Sequence, residues 1–107
     1  MTTSPQKMTK KILIIGSGFS SISAATYLAD KGYDVTIFEK NSSFGGRARK
    51  FQANGYTFDM GPSWYWMPDV FEKYFNDFDK KVSDYYNLKK LDPAYKVYFG
   101  LNDSIEI

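Results

Sequence analysis

At 107 residues, with 43% hydrophobic and 24% charged side chains, the chain has an ordinary globular balance and enough length for one small domain. Cys and His are both absent, which excludes disulfides, thiolate or imidazole metal sites and every nucleophile–His pair; no metal site is expected, and difficult chemistry must come from a cofactor. The net charge of +2 is uneven, with eight Lys/Arg against three Asp/Glu in residues 1–50 and six against nine in 51–107; Tyr and Phe concentrate in the acidic half, away from the bases, so nucleic-acid binding is not expected.

Residues 1–9 are polar and include Pro5, so a loose tail is expected there. The segment has no apolar core of the signal-peptide kind, and no apolar run in the chain approaches the roughly 20 residues of a membrane-spanning helix. A cytoplasmic location is expected. Lys11–Ile15 (KILII) is a continuous apolar run, the pattern of a strand buried on both faces of a parallel sheet. From Ser20 to Lys31, Ile22, Ala25, Tyr27, Leu28 and Ala29 keep near-helical spacing, and Gly32 stands where a left-handed helix cap belongs. Asp34–Glu39 (DVTIFE) is β-branched and aromatic, hence a second strand. A β-α-β unit of about 30 residues follows, its strands parallel.

Beyond it, Asn54-Gly55 between two alternating runs predicts a hairpin within residues 47–59. Pro68–Asp79 opens with Pro at a first helical position and sets Val70, Phe71, Tyr74, Phe75 and Phe78 along one stripe, an amphipathic helix whose stripe is expected to pack in a core. Tyr95–Phe99 and Ser104–Ile107 read as strands around a turn at Gly100–Asp103. Because the chain ends on Ile107 inside an apparent strand, a longer parent chain is expected.

The loop between the first strand and the first helix carries the chemistry. Gly16-Ser17-Gly18-Phe19-Ser20-Ser21 fits the Rossmann fingerprint, in which one Gly permits the tight turn, the next lets the backbone approach a pyrophosphate, and a third small residue lets helix and strand pack closely. Ser21 stands at the third position in place of Gly. Backbone N–H groups at the helix start, with the positive end of the helix dipole, would hold the phosphates. Glu39, 18 residues after Ser21, sits where an acid accepts hydrogen bonds from the adenosine ribose; its charge argues against a 2′-phosphate and so against NADP.

A second glycine motif, Lys40-Asn41-Ser42-Ser43-Phe44-Gly45-Gly46-Arg47, follows at once. It resembles the glycine-doublet-plus-arginine stretch of the amine oxidase and carotenoid desaturase superfamily, in which that loop lies over the FAD pyrophosphate. Two glycines allow close approach, and a guanidinium pairs well with phosphate. An NAD-only domain has no use for such a loop at this spacing. The longer run GGRARKFQANGYTFDMGPSWYWMPDVFEKYF, and then SDYYNLKKLDPAYKVYF, resembles the bacterial-type phytoene and carotenoid desaturases more narrowly, over about residues 10–107.

The resemblance implies an FAD-dependent enzyme that dehydrogenates a C–C bond in an apolar isoprenoid such as phytoene, of which this chain is an N-terminal portion, inactive alone. It implies an electron acceptor and peripheral contact with a membrane surface, and assigns no catalytic residue within the chain. On its terms Gly16, Gly18, Phe19, Ser20, Ser21, Glu39, Lys40, Gly45, Gly46 and Arg47 bind FAD, while Gly61, Pro62 and Ser63 lie near the flavin. Trp64-Tyr65-Trp66-Met67 has two readings, an apolar route for a polyene and ordinary core packing. The expected fold is α/β: a Rossmann-like FAD-binding unit over residues 10–67, then the start of a mixed, mostly antiparallel substrate region over 68–107. Two other function classes stay open: a flavin amine oxidase-like enzyme acting on a polar substrate, and a noncatalytic dinucleotide-binding module.

Overall fold

A computed structural model describes residues 9–107, so the expected tail lies, apart from Thr9, outside the described residues. The chain divides into two compact units, one ending at Tyr65 and the other running Trp66–Ile107.

The first unit opens with β1 (Lys11–Ile15), α1 (Phe19–Asp30) and β2 (Asp34–Phe38). β1 and β2 pair in parallel, Lys11 opposite Asp34 through Ile15 opposite Phe38. Helix α1 packs against both strands. It ends where Gly32 takes φ +85°: the Gly32 N–H donates to the Ala29 carbonyl and the Tyr33 N–H to that of Leu28, the paired bonds of a Schellman cap. Within this chain the β1–β2 pair is covered on one face. Ile12, Ile14, Val35 and Ile37 are half-buried, whereas Leu13, Ile15 and Phe38, on the other face, are exposed. One helix covers one face of a pleated pair, because successive side chains alternate across it.

The predicted hairpin is β3 (Lys50–Ala53) and β4 (Tyr56–Asp59). Asn54 and Gly55 both have positive φ, 50° and 81°, the two-residue I′ turn whose twist matches an antiparallel pair. Phe51 lies opposite Phe58 with ring centroids 4.9 Å apart and stacked, and Gln52 Nε2 donates to Thr57 Oγ1 at 3.0 Å between the next pair. Such cross-strand pairs fix register.

In the second unit α2 (Pro68–Asn76) stops three residues short of the expected Asp79. Asp79 turns left-handed at φ 55°, the Asp79 N–H donates to Asn76 and the Lys80 N–H to Phe75, closing the helix early. Of the expected stripe, Phe71, Tyr74, Phe75 and Phe78 are half-buried and Val70 is exposed. Their partner is an element the periodicity did not reveal, a single 3₁₀ turn at Val82–Asp84. Its Val82 is buried, and the Phe75 ring lies 5.0 Å from that of Tyr85 and 6.2 Å from that of Tyr86. Strands β5 (Lys96–Gly100) and β6 (Asp103–Glu106) form an antiparallel pair with an irregularity between Tyr98 and Gly100. Lys96 and Glu106 face each other across it, 2.7 Å apart.

Candidate functional site

Every polar group of Ser17 has a partner within the chain. Its N–H and its hydroxyl both donate to Glu39 Oε2, at 2.9 and 2.6 Å, and its carbonyl accepts from the Gly45 N–H at 2.8 Å. The residue is 5% exposed, the one buried polar side chain among the described residues. Three segments that the sequence separates are thereby joined: the loop after β1, the end of β2 and the second glycine loop. The parallel pairing makes this possible, because Gly16 continues the ladder by donating to the Phe38 carbonyl at 2.7 Å, setting Ser17 beside Glu39.

Glu39 is held at both oxygens, Oε2 by Ser17 and Oε1 by the Asn41 N–H and side-chain amide at 2.9 and 3.0 Å. The Ser17 hydroxyl above all, then the Asn41 and Ser17 N–H groups, hold its carboxyl down at about 2, from 4.5. Hydrogen bonds donated to the charged form stabilise it, so Glu39 is ionised at neutral pH.

The glycine doublet is seated on the first loop. A Cβ at Gly46 would come 3.2 Å from Gly18 Cα, and one at Gly45, where φ is 105°, would come 2.5 Å from the Ala48 carbonyl oxygen. A Cβ does not fit at Gly45, and at Gly46 it would push Gly18 back by a few tenths of an ångström and strain a left-handed backbone. The hairpin then returns the chain: Met60 N–H donates to Arg49 at 2.7 Å, and Gly61 lies against the Arg47 carbonyl oxygen. Thus Gly16, Gly18, Glu39, Gly45, Gly46, Arg47 and Gly61 converge within the first unit. Pro62 and Ser63 follow Gly61 on an exposed segment, and the Ser63 hydroxyl donates to the Gly61 carbonyl at 3.5 Å. Lys40, Phe19 and Ser20 are exposed, and Ser21 is partly buried in the first turn of α1. Trp64, Tyr65, Trp66 and Met67 are all exposed in this chain.

The first loop has the shape to receive a phosphate. Cβ atoms built on Gly16 and Gly18 would meet nothing within 4 Å, so the space over both is open. Gly18 caps α1 with no side-chain hydrogen bond, and the first turn carries no acid, which leaves the positive end of a 12-residue helix for an incoming anion. A family model, the NAD(P)-binding Rossmann-like domain, matches residues 14–80.

The chain belongs to this family.

A Rossmann-like domain of this kind binds a dinucleotide with the loop after its first strand. Curated relatives narrow the comparison. The chain is 50% identical over 96 residues to a carotenoid 3,4-desaturase of Haloarcula japonica, covering 90% of this chain and 19% of that protein. It is 43% identical over 97 residues to a 4,4′-diapophytoene desaturase (4,4′-diaponeurosporene-forming) of Staphylococcus aureus strain Newman, covering 91% of this chain and 19% of that protein. The chain therefore spans about a fifth of the length of these relatives. Among the described residues no cluster of acids suits a metal ion, and no helix is long and apolar enough to cross a membrane.

What the sequence reading missed at the site is the role of Ser17. The fingerprint leaves its middle position open, and only the geometry reveals that this side chain points back to the acid. A serine beside two glycines, facing an acid one strand away, was the available signal.

Proposed function

We propose that this chain forms part of the FAD site of an enzyme that dehydrogenates a C–C bond in a carotenoid precursor such as phytoene. The observation that carries the reading is the seating of the Gly45-Gly46-Arg47 loop on the Ser17-Gly18 backbone. A nicotinamide dinucleotide needs the first loop alone; a second glycine loop with a guanidinium beside the first suits FAD. The names of the desaturase relatives support the substrate class.

On this reading residues 10–67 supply the nucleotide-binding part and 68–107 begin the substrate region. The backbone of Gly16, Gly18, Phe19, Ser20 and Ser21 donates to phosphate at the start of α1. Glu39, with Lys40 beside it, receives the ribose. Gly45 and Gly46 admit the pyrophosphate, and Arg47 offsets its charge through paired hydrogen bonds. Gly61, Pro62 and Ser63 border the flavin. When bound, FAD supplies the hydride acceptor, and the protein binds, orients and excludes water. Because the substrate is dissolved in lipid, the enzyme works from the cytoplasm at the membrane surface.

The test is chemical. Denaturing the purified protein is expected to release a noncovalent yellow nucleotide that co-migrates with FAD. Recovery of NAD instead, or of no nucleotide from a well-folded preparation, overturns the cofactor reading.

A further inference from the structure

The two oxygens of Glu39 are not equivalent. Oε2 faces a part-buried pair of donors from Ser17, and Oε1 faces exposed donors from Asn41. A ribose diol approaching from solvent therefore meets Oε1, where the Asn41 side-chain amide is a donor it can replace, while Oε2 stays tied. The 2.6 Å Ser17 bond is of the short, charge-assisted kind. The same residue receives the Gly45 N–H on its carbonyl. Displacing Ser17 would thus disturb the acid and the second glycine loop together.

We propose that Ser17 is a positioning residue for the dinucleotide: it anchors Glu39 through Oε2, so that Oε1 is presented to the adenosine ribose, and it locks the Gly45-Gly46 loop to the same anchor. The proposal rests on the reading of Glu39 as the ribose acceptor. It differs from simple packing because it makes the Ser17 hydroxyl responsible for the carboxylate's state as well as its place. The low carboxyl value of Glu39, set first by that hydroxyl, agrees with this.

Ser17→Ala keeps the backbone N–H and removes the hydroxyl alone. Two measurements on the purified protein decide the matter. The first, without nucleotide, follows the carboxyl resonances of protein carrying ¹³C-labelled Glu as pH falls; the resonance missing from Glu39→Gln is that of Glu39. In Ser17→Ala its midpoint is expected to rise from about 2 toward 4.5. The second is a titration with FAD, read by quenching of flavin fluorescence, in which Ser17→Ala is expected to bind roughly tenfold more weakly, the scale of one lost hydrogen bond to a charged group. An unmoved Glu39 midpoint overturns the proposal, as does a moved midpoint with unchanged FAD affinity. Should the parent protein bind neither FAD nor NAD, the cofactor reading fails and the proposal falls with it, whatever the carboxyl titration gives. If Ser17→Ala does not fold, Ser17→Cys, similar in size but a weak donor, is judged by the same two criteria.

Discussion

Gly61 rests on the carbonyl of Arg47: a Cβ at Gly61 would lie 2.6 Å from that oxygen, and the residue's φ is 149°. The hairpin between them brings the chain back, since Arg49 and Met60 extend its ladder by one more bond. Arg47 and Gly61, assigned on resemblance to the pyrophosphate and to the flavin, are thus adjacent through backbone alone.

Gly61→Ala is accordingly expected to destabilise the protein by about 1–3 kcal/mol, the scale of strain at a disallowed backbone position, because the obstacle is a backbone carbonyl that cannot rotate away. Urea unfolding measures it. A midpoint equal to the parent's would mean that Arg47 and Gly61 are not held so close.

Gly18→Ala should behave in the opposite way. Gly18 has an ordinary negative φ of −73°, and a Cβ there meets nothing within 4 Å. The fold should lose no more than about 1 kcal/mol, the cost of Ala against Gly at a helix N-cap. The added methyl nevertheless enters the space through which a phosphate approaches the start of α1. Near-parental thermal stability with at least a tenfold loss of dinucleotide affinity is expected, an estimate from one displaced close contact. Retained affinity would remove Gly18 from the phosphate cradle.

The β-α-β unit and the Asn54-Gly55 hairpin were legible because each is specified locally, by periodicity, by a cap glycine and by a turn that needs two positive φ values. Both strands of the unit were found within one residue of their ends. The 3₁₀ turn at Val82–Asp84 was not legible, since three residues carry no period, and what marks them is the packing of the turn against α2 in space. The end of α2 was misjudged for a related reason: Phe78 continues the apolar stripe, but it does so from a left-handed turn closed by Asp79. At the site, the glycines and Glu39 could be named because the fingerprint is defined by backbone freedom and by charge at fixed positions. The Ser17–Glu39 contact joins positions 22 apart and depends on the parallel register, which a motif does not encode.

Acid should weaken the fold partly through Glu39. Its carboxyl is lowered in the folded protein, so its contribution is complete above 4.5 and is lost as pH falls toward about 2. Glu39→Gln removes that titration and leaves every other acid in place. Between those limits the urea midpoint of the parent should fall more steeply than that of Glu39→Gln, and the two curves should converge at the acid end. Parallel curves over this window would show that Ser17 and Asn41 do not prefer the charged acid.

The desaturase reading predicts a substrate as well as a cofactor. Similarity to carotenoid 3,4-desaturase and to 4,4′-diapophytoene desaturase extends over nine-tenths of the chain, beyond the two glycine loops that a polar-substrate flavin enzyme would share. With the full-length enzyme, phytoene supplied in lipid vesicles with an electron acceptor should therefore gain conjugated double bonds, and polyene absorption should grow with time and move to longer wavelength. Simple amines should give no turnover. Glu39→Ala should slow the reaction chiefly by losing FAD, so that added FAD restores part of the rate, whereas a residue acting on the substrate would not respond to FAD. A folded, FAD-loaded protein that oxidises amines and leaves phytoene and related precursors unchanged would overturn the carotenoid assignment while leaving the dinucleotide site as described.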